Sequence, residues 1–268
     1  MSTATAANAG GHADPVALEV SGLTVRFGGL VALSEASVTA YENEITALIG
    51  PNGAGKTTLF NCLTGVYQAD AGSIEYRGQQ LRGLRPDRIA NHGISRTFQN
   101  LALFPQLTAR ENVIVGLHRT RQTGWVSNAL RLPQVLREET AVREQADAAM
   151  AELGLSAVAD LRISELPYGT LKRIEIARAL VSGASLLLLD EPAGGLSHEE
   201  VDEFMELIRR VRSSRSLTIL LVEHHMGLVM KLCDRVTVLN FGRTIAAGTP
   251  AEVSEIPAVI AAYLGGGE

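Results

Sequence analysis

Residues 50–57 read Gly50-Pro51-Asn52-Gly53-Ala54-Gly55-Lys56-Thr57, and they have the spacing of a phosphate-binding P-loop. Glycines let the backbone wrap closely around phosphate oxygens and point several N–H groups at them. Lys56 supplies a positive charge for the β- and γ-phosphates, and the Thr57 hydroxyl can coordinate Mg²⁺. Because an apolar segment precedes these residues and a helical pattern follows them, we interpret them as a P-loop and not as a chance glycine-rich turn.

An acidic pair completes this type of site. The apolar segment 185–189 ends in Asp190 and Glu191. Asp190 would hold Mg²⁺ directly or through water, and Glu191 would polarise an attacking water as general base. Two acidic residues at a strand end are often merely solvated, but a P-loop in the same chain favours the catalytic interpretation.

The rest of the chain alternates short apolar segments with helical patterns, which indicates an α/β fold with a P-loop NTPase (RecA-like) core sheet. An antiparallel β-subdomain is expected near the N-terminus. The predicted strands are 18–26, 31–39, 44–49, 73–76, 94–98, 185–189, 217–222, 235–239 and 244–247. The predicted helices are 56–65, 141–153, 171–181 and 199–212, with others starting near residues 108 and 249.

A helical subdomain is predicted at about 101–165, inserted into a domain that spans 16–268. Thr108-Ala-Arg-Glu111 has the capping-box form that starts a helix, and Gly154 could end the helix at 141–153. Trp125 and Pro133 are expected in a less regular part between these helices. Residues 1–15 are small and polar, which predicts a disordered tail and not a signal peptide.

Composition excludes several other classes. The net charge of −5 argues against a nucleic-acid binder, because phosphate backbones favour basic surfaces. Cys62 and Cys233 form no Cys-x-x-Cys pair, so we expect two reduced, buried thiols. The longest apolar runs, 186–189 and 219–222, are far shorter than a membrane span. Any action at a membrane would therefore require a partner.

With these motifs in place, the chain after its tail resembles the nucleotide-binding domain of ABC ATPases. The resemblance implies that Phe27 stacks on adenine, although core packing is an equal alternative for that ring. It implies that Gln99, in Arg96-Thr-Phe-Gln-Asn100, senses Mg²⁺ and water near a membrane partner. It also implies that His224 contacts the γ-phosphate and orients the water together with Glu191.

The signature segment departs from the family pattern of Leu-Ser-Gly-Gly-Gln, because this chain has Leu166-Pro-Tyr-Gly-Thr170. Pro167 replaces the serine that would meet the γ-phosphate of the partner subunit, and proline has no N–H. Gly169 and the following helix N-terminus can still face that phosphate. Ser197 stands where the family often has aspartate or asparagine.

A closer resemblance is to the ATPases of branched-chain amino-acid importers, carried by residues 96–100, 166–169, 222–230 and 262–265. Importers of urea and amides are similar. The resemblance implies ATP and Mg²⁺ as cofactors and a peripheral location on the cytoplasmic face of the cell membrane. It implies permease subunits, a second ATPase subunit (the same or a sister chain) and a periplasmic or extracellular solute-binding protein as partners, with no nucleic acid.

Two alternatives remain from the sequence. One is a soluble ABC ATPase outside transport, and the other is a weakly hydrolysing regulatory partner of a sister ATPase. On the main interpretation we expect catalytic roles for Lys56, Gln99, Glu191 and His224, and Mg²⁺ ligation by Thr57, Gln99 and Asp190. Nucleotide contacts are expected from Phe27, Gly50, Pro51, Asn52, Gly53, Ala54, Gly55, Lys56, Thr57, Thr58 and Gly169.

Overall fold

A computed structural model describes residues 15–97, 101–117 and 133–264, apart from the side chains of 133–136 and 264. A disordered tail was predicted for residues 1–15, and residues 1–14 of it lie outside the described residues. Gln99 and Trp125 also lie outside them. The α/β fold, the antiparallel β-subdomain and the inserted helices are present as expected. The exact limits predicted for the helical subdomain stay a prediction.

Within the described residues, six strands form the central sheet. They are β3 (Ile45–Ile49), β6 (Ile94–Arg96), β7 (Leu186–Asp190), β8 (Thr218–Val222), β9 (Arg235–Asn240) and β10 (Arg243–Gly248), in the spatial order β10-β9-β3-β8-β7-β6. All neighbours pair in parallel except β9 and β10, which form an antiparallel hairpin. Strands β3, β7 and β8 are buried along their whole length, so their sequences are continuous apolar runs.

The second sheet is antiparallel and has the order β2-β1-β4-β5. Its strands are β1 (Val16–Phe27), β2 (Leu30–Tyr41), β4 (Ala71–Tyr76) and β5 (Gln79–Gln80). Strand β2 also reaches the central sheet, because Thr244 Oγ1 on β10 accepts from the Ser37 N–H at 3.0 Å and donates to the Ser37 carbonyl at 2.7 Å.

The helices of the described residues are α1 (Lys56–Leu63), α2 (Pro86–Asn91), α3 (Ala109–Val115), α4 (Pro133–Glu152), α5 (Tyr168–Val181), α6 (His198–Arg215), α7 (Met226–Leu232), α8 (Pro250–Ser254) and α9 (Pro257–Leu264). Thr108 and Glu111 form the predicted capping box of α3, and Thr249 caps α8 in the same way. In this part of the chain no helix is both long and apolar enough to cross a bilayer.

Two apolar cores lie on the two faces of the central sheet. Alternation along β3 sends Ile45, Ala47 and Ile49 into one core with the α-helices α3 to α6, whereas Leu48 faces the other core with α1 and the antiparallel sheet. Helix α3 packs against both α4 and α5. Because its side chains enter both cores, β3, the strand before the P-loop, is packed on both faces.

Two local expectations were wrong, and one helix was missed. Pro133 is not in an irregular part but is the first residue of α4, where the missing N–H costs no hydrogen bond. Helix α5 starts at Tyr168 and not at residue 171, with Pro167 as its extended N-cap. The short helix α2 was not predicted, although Pro86 stands at its first position.

Candidate functional site

The P-loop, Gly50 to Thr57, follows β3 directly and ends in the first two residues of α1, as the sequence predicted. Gly50 has a φ of 149°, and a Cβ there would lie 2.1 Å from the Leu239 carbonyl oxygen on β9. Gly55 has a φ of 101°, and its Cβ would lie 2.8 Å from the Ala32 carbonyl oxygen. Both positions therefore require glycine for two reasons, the left-handed backbone and the close approach of a neighbouring strand.

Lys56 extends back over the loop. Its Nζ donates to the carbonyl oxygens of Gly50 at 2.7 Å and Pro51 at 3.0 Å. Burial lowers the pKa of the Lys56 ammonium, and the carboxylates of Glu191 and Asp190 partly oppose that shift. The two carboxylates thus favour the charged form of an ammonium group that is partly shielded from water.

A cavity of about 440 Å³ opens above the loop. Phe27 lines its wall, is 44% exposed, and meets Tyr67 edge-on with ring centroids 5.1 Å apart. Phe27 is therefore not a core residue. The predicted residues that line the cavity are Phe27, Asn52, Gly53, Ala54, Gly55, Lys56, Thr57, Thr58 and Glu191; Leu30, Val31, Ala32 and Phe241 also line it.

Asp190 ends β7 and is 5% exposed. Arg96, at the end of the neighbouring strand β6, donates from Nη2 to Asp190 Oδ2 at 2.5 Å and from Nη1 to Asn61 Oδ1 at 2.7 Å. The guanidinium therefore neutralises a carboxylate that burial would otherwise penalise. In the sequence Arg96 belonged to a segment that resembles the family, and no role was predicted for it.

Glu191 and His224 meet across strand ends. Strand β8 lies between β3 and β7, so His224, two residues beyond β8, reaches the position between the P-loop and the acidic pair. His224 Nδ1 is 3.9 Å from Glu191 Oε1. Glu191 has a φ of 47°, a left-handed conformation that is costly for a glutamate and is typical of functional sites. The family resemblance implied that these two residues act together; the structure places them near each other, and their roles stay a prediction.

Glu223 is a buried carboxylate that sequence reasoning did not single out. It is 0% exposed. Its Oε1 accepts from the Ala193 N–H at 3.0 Å, and its Oε2 accepts from the N–H groups of His224 and His225 at 3.0 and 3.2 Å. It therefore ties the loop after Glu191 to the histidine segment. A carboxylate directly after the buried run Thr218–Val222 was the available signal.

The same cluster has the spacing of a cation site, since ligand atoms of Glu223, His224 and His225 lie within 4.8 Å of one another. Oε2 of Glu223, however, already accepts two backbone hydrogen bonds. The geometry favours a structural carboxylate over a metal ligand.

Of the predicted site residues that the structure describes, Gly50, Pro51, Gly169, Asp190 and His224 do not line this cavity. Gly169 belongs to a different part of the surface. It lies beside Glu200, whose Oε1 would be 2.9 Å from a Cβ at that position, and lines a separate depression. Its neighbour Tyr168 packs over Gly195, where a Cβ would be 2.9 Å from the ring. The Tyr-Gly signature thus contacts the loop after the acidic pair. Gln99 lies outside the described residues.

Two segments of the chain match families of known proteins. Residues 33–194 match the family described as ABC transporter, and residues 243–268 match the family described as Branched-chain amino acid ATP-binding cassette transporter. The high-affinity branched-chain amino acid transport ATP-binding protein BraF of Pseudomonas aeruginosa is 44% identical over 92% of this chain and 97% of that protein. LivG of Escherichia coli, which has the same description, is 45% identical over the same shares.

A solved structure also matches. The ADP conformation of MJ1267, an ATP-binding cassette of an ABC transporter, superposes with a TM-score of 0.81 at 27% identity, covering 94% of this chain and 99% of that one. The similarity extends over the antiparallel sheet, the central sheet and the helices together.

Proposed function

Because this chain belongs to the ABC transporter family of ATP-binding proteins, we propose that it hydrolyses ATP to ADP and phosphate as a subunit of an importer of branched-chain or other hydrophobic amino acids. The observation that carries the proposal is the meeting of the P-loop, Glu191 and His224 at the ends of β3, β7 and β8. The branched-chain substrate class is supported by the match of residues 243–268 and by the relatives' descriptions.

ATP binding is assigned to the loop and the start of α1. The N–H groups of residues 52–58 and the positive end of α1 would surround the phosphates. Gly53 has open space around its α-carbon, so the backbone can approach a phosphate closely. Lys56 would exchange its carbonyl partners for β- and γ-phosphate oxygens, which are stronger acceptors because they are charged.

A magnesium ion fits the donor set. Thr57 offers a hydroxyl and Asp190 a carboxylate, and hard oxygen ligands of this kind are the ones that Mg²⁺ prefers. Arg96 donates to Oδ2 of Asp190 and orients the carboxylate that would hold the ion directly or through water. Gln99 would be the third residue that holds the ion. The ion supplies neutralisation of phosphate charge.

Glu191 would act as the general base. Its carboxylate would accept a proton as a water oxygen attacks the γ-phosphorus, and the bond from that phosphorus to the bridging oxygen would break. His224 would hold the water and the γ-phosphate in line. Arg96 holds the Asp190 carboxylate in place, and Glu223 fixes the backbone on both sides of the Glu191–His224 pair.

The transport role requires partners. Gly169 is remote from this chain's own cavity, so we assign it to the nucleotide of a second ATPase subunit that faces the first.

For the permease subunits we assign a groove of about 510 Å³ between α2 and α3, which exposes Val66, Phe104 and Val115. Exposed apolar surface of this kind is typical of protein contacts. ATP would then favour the closed pair of subunits because it binds that pair more tightly. Such a complex would place this chain at the cytoplasmic face of the membrane. The solute-binding protein would contact the same permease subunits from the opposite side.

Affinity purification of the tagged chain from gently solubilised membranes tests this role. Recovery of two multi-spanning subunits, with a second ATPase subunit, is the expected result, and transport of labelled leucine by that complex in vesicles would identify the solute class. Recovery of soluble partners alone would overturn the transport role.

A further inference from the structure

Phe241 is an aromatic residue that the proposed function does not use. It stands at the tip of the β9–β10 hairpin and is 86% exposed. Its φ is 45° and that of Gly242 is 76°, which is the two-residue turn that favours Asn-Gly. A phenylalanine in a left-handed conformation is less stable there than asparagine. An exposed ring in a strained position suggests a role outside the stability of the turn.

The turn is fixed to the nucleotide cavity. The Gly242 N–H donates to the carbonyl of Ala54 in the P-loop at 3.0 Å, and the Gly242 carbonyl accepts from Ser34 N–H on β2 at 2.8 Å. A Cβ on Gly242 would lie 2.6 Å from the Ala32 carbonyl oxygen. The hairpin tip therefore cannot move away from the P-loop without breaking the bond to Ala54, and the bond to Ser34 holds it to β2 as well.

The Phe241 side chain lines the same cavity as the P-loop. The cavity has two chemically different parts. Lys56, Thr57 and Glu191 form the polar part, whereas Phe27, Leu30, Val31 and Phe241 form the apolar part, where each of these four side chains is at least 44% exposed. Nucleotides have the same division, with charged phosphates at one end and a flat aromatic base at the other.

We propose that Phe241 binds the base of the nucleotide, as a second aromatic wall beside Phe27. This inference rests on the proposed function, because it takes the phosphates to lie on the P-loop. Its ring would lose water-exposed apolar area on contact with a purine, and base–aromatic stacking tolerates any orientation of the base edges. The tether through Gly242 and Ala54 would then link base binding to the P-loop backbone.

Binding of ATP and of inorganic tripolyphosphate to the whole chain, measured by titration calorimetry, tests the inference. The variant Phe241→Asn removes the ring but suits the left-handed turn, so its thermal midpoint should equal or exceed that of the unmodified chain. We expect Phe241→Asn to weaken ATP binding about 5- to 20-fold, in the range of base–aromatic stacking. The affinity of Phe241→Asn for tripolyphosphate should stay within about twofold of that of the unmodified chain. Phe241→Tyr keeps an aromatic ring and should retain the affinity for ATP.

Unchanged ATP affinity in Phe241→Asn would overturn the inference and leave the proposed function intact. An equal loss for ATP and tripolyphosphate would also overturn it, since the turn would then only support the P-loop. If the unmodified chain binds neither ligand, the proposed function itself fails, and the inference fails with it.

Discussion

Glu223 offers the sharpest test of how the site is built. Its carboxylate is fully buried and accepts three hydrogen bonds, from the backbone N–H groups of Ala193, His224 and His225. Replacing it with glutamine keeps the shape and leaves one acceptor oxygen. If that oxygen takes the place of Oε2, two hydrogen bonds remain and the amide NH₂ faces the Ala193 N–H. The substitution therefore loses at least one charge-assisted bond and sets two donors against each other.

The magnitude follows from these contacts. A hydrogen bond to a charged group contributes about 1.5–3 kcal/mol, and a buried donor left unsatisfied costs about 1–3 kcal/mol. We therefore expect Glu223→Gln to lower the free energy of unfolding by about 3 kcal/mol. For a domain of this size the thermal midpoint would fall by about 6–12 °C. ATP turnover should also fall, because the loop after Glu191 and the His224 segment lose their common anchor.

Differential scanning fluorimetry and a phosphate-release assay would measure both effects. Glu144→Gln is a suitable control, because Glu144 is exposed on α4 and its replacement should shift stability by less than about 0.5 kcal/mol. A Glu223→Gln protein that melts within about 2 °C of the unmodified chain would show that the three bonds do not organise the site.

Three further results are expected. Arg96→Ala should destabilise the fold by about 3 kcal/mol in urea titration, since it leaves the buried Asp190 without its cation, and an unchanged midpoint would contradict the ion pair. Burial raises the pKa of the Cys62 thiol to about 11, so about one thiol in a thousand is ionised at pH 8. Alkylation of Cys62 by iodoacetamide should therefore be slow until urea unfolds the chain, and rapid labelling of the folded protein would refute its burial. Gly50→Ala should abolish folding or soluble expression, because its Cβ would lie 2.1 Å from a carbonyl oxygen, whereas Gly53→Ala should cost about 1 kcal/mol in thermal melts, since only its φ of 79° opposes it. Equal stability of the two alanine variants would contradict the packing around Gly50.

The sequence predicted the elements that depend on local patterns. The P-loop at 50–57, the buried strand before Asp190 and the capping box of Thr108 and Glu111 each have a short signature with a physical cause. Boundaries were less accurate where proline was involved. Pro133 starts α4 because a first-turn residue needs no N–H partner, a use that composition alone did not distinguish from a loop.

Contacts between distant residues could not be predicted in this way. Arg96 and Asp190 are 94 positions apart, and their pairing depends on β6 lying beside β7 in the sheet. Glu223 reaches the Ala193 N–H only because β7 and β8 are neighbours. The position of Phe241 depends on the hydrogen bond between Gly242 and Ala54. Each is a consequence of strand order, which no local pattern encodes.

The most direct test of the central claim is steady-state phosphate release from ATP by the purified transporter complex carrying Glu191→Gln. The account predicts that turnover falls at least about 100-fold while ATP affinity is retained, because the general base is lost and the P-loop is unaltered. The control Glu199→Gln, at an exposed position near the start of α6, should leave turnover unchanged. Turnover in Glu191→Gln equal to that of the unmodified complex would contradict the assignment of Glu191 and the mechanism built on it.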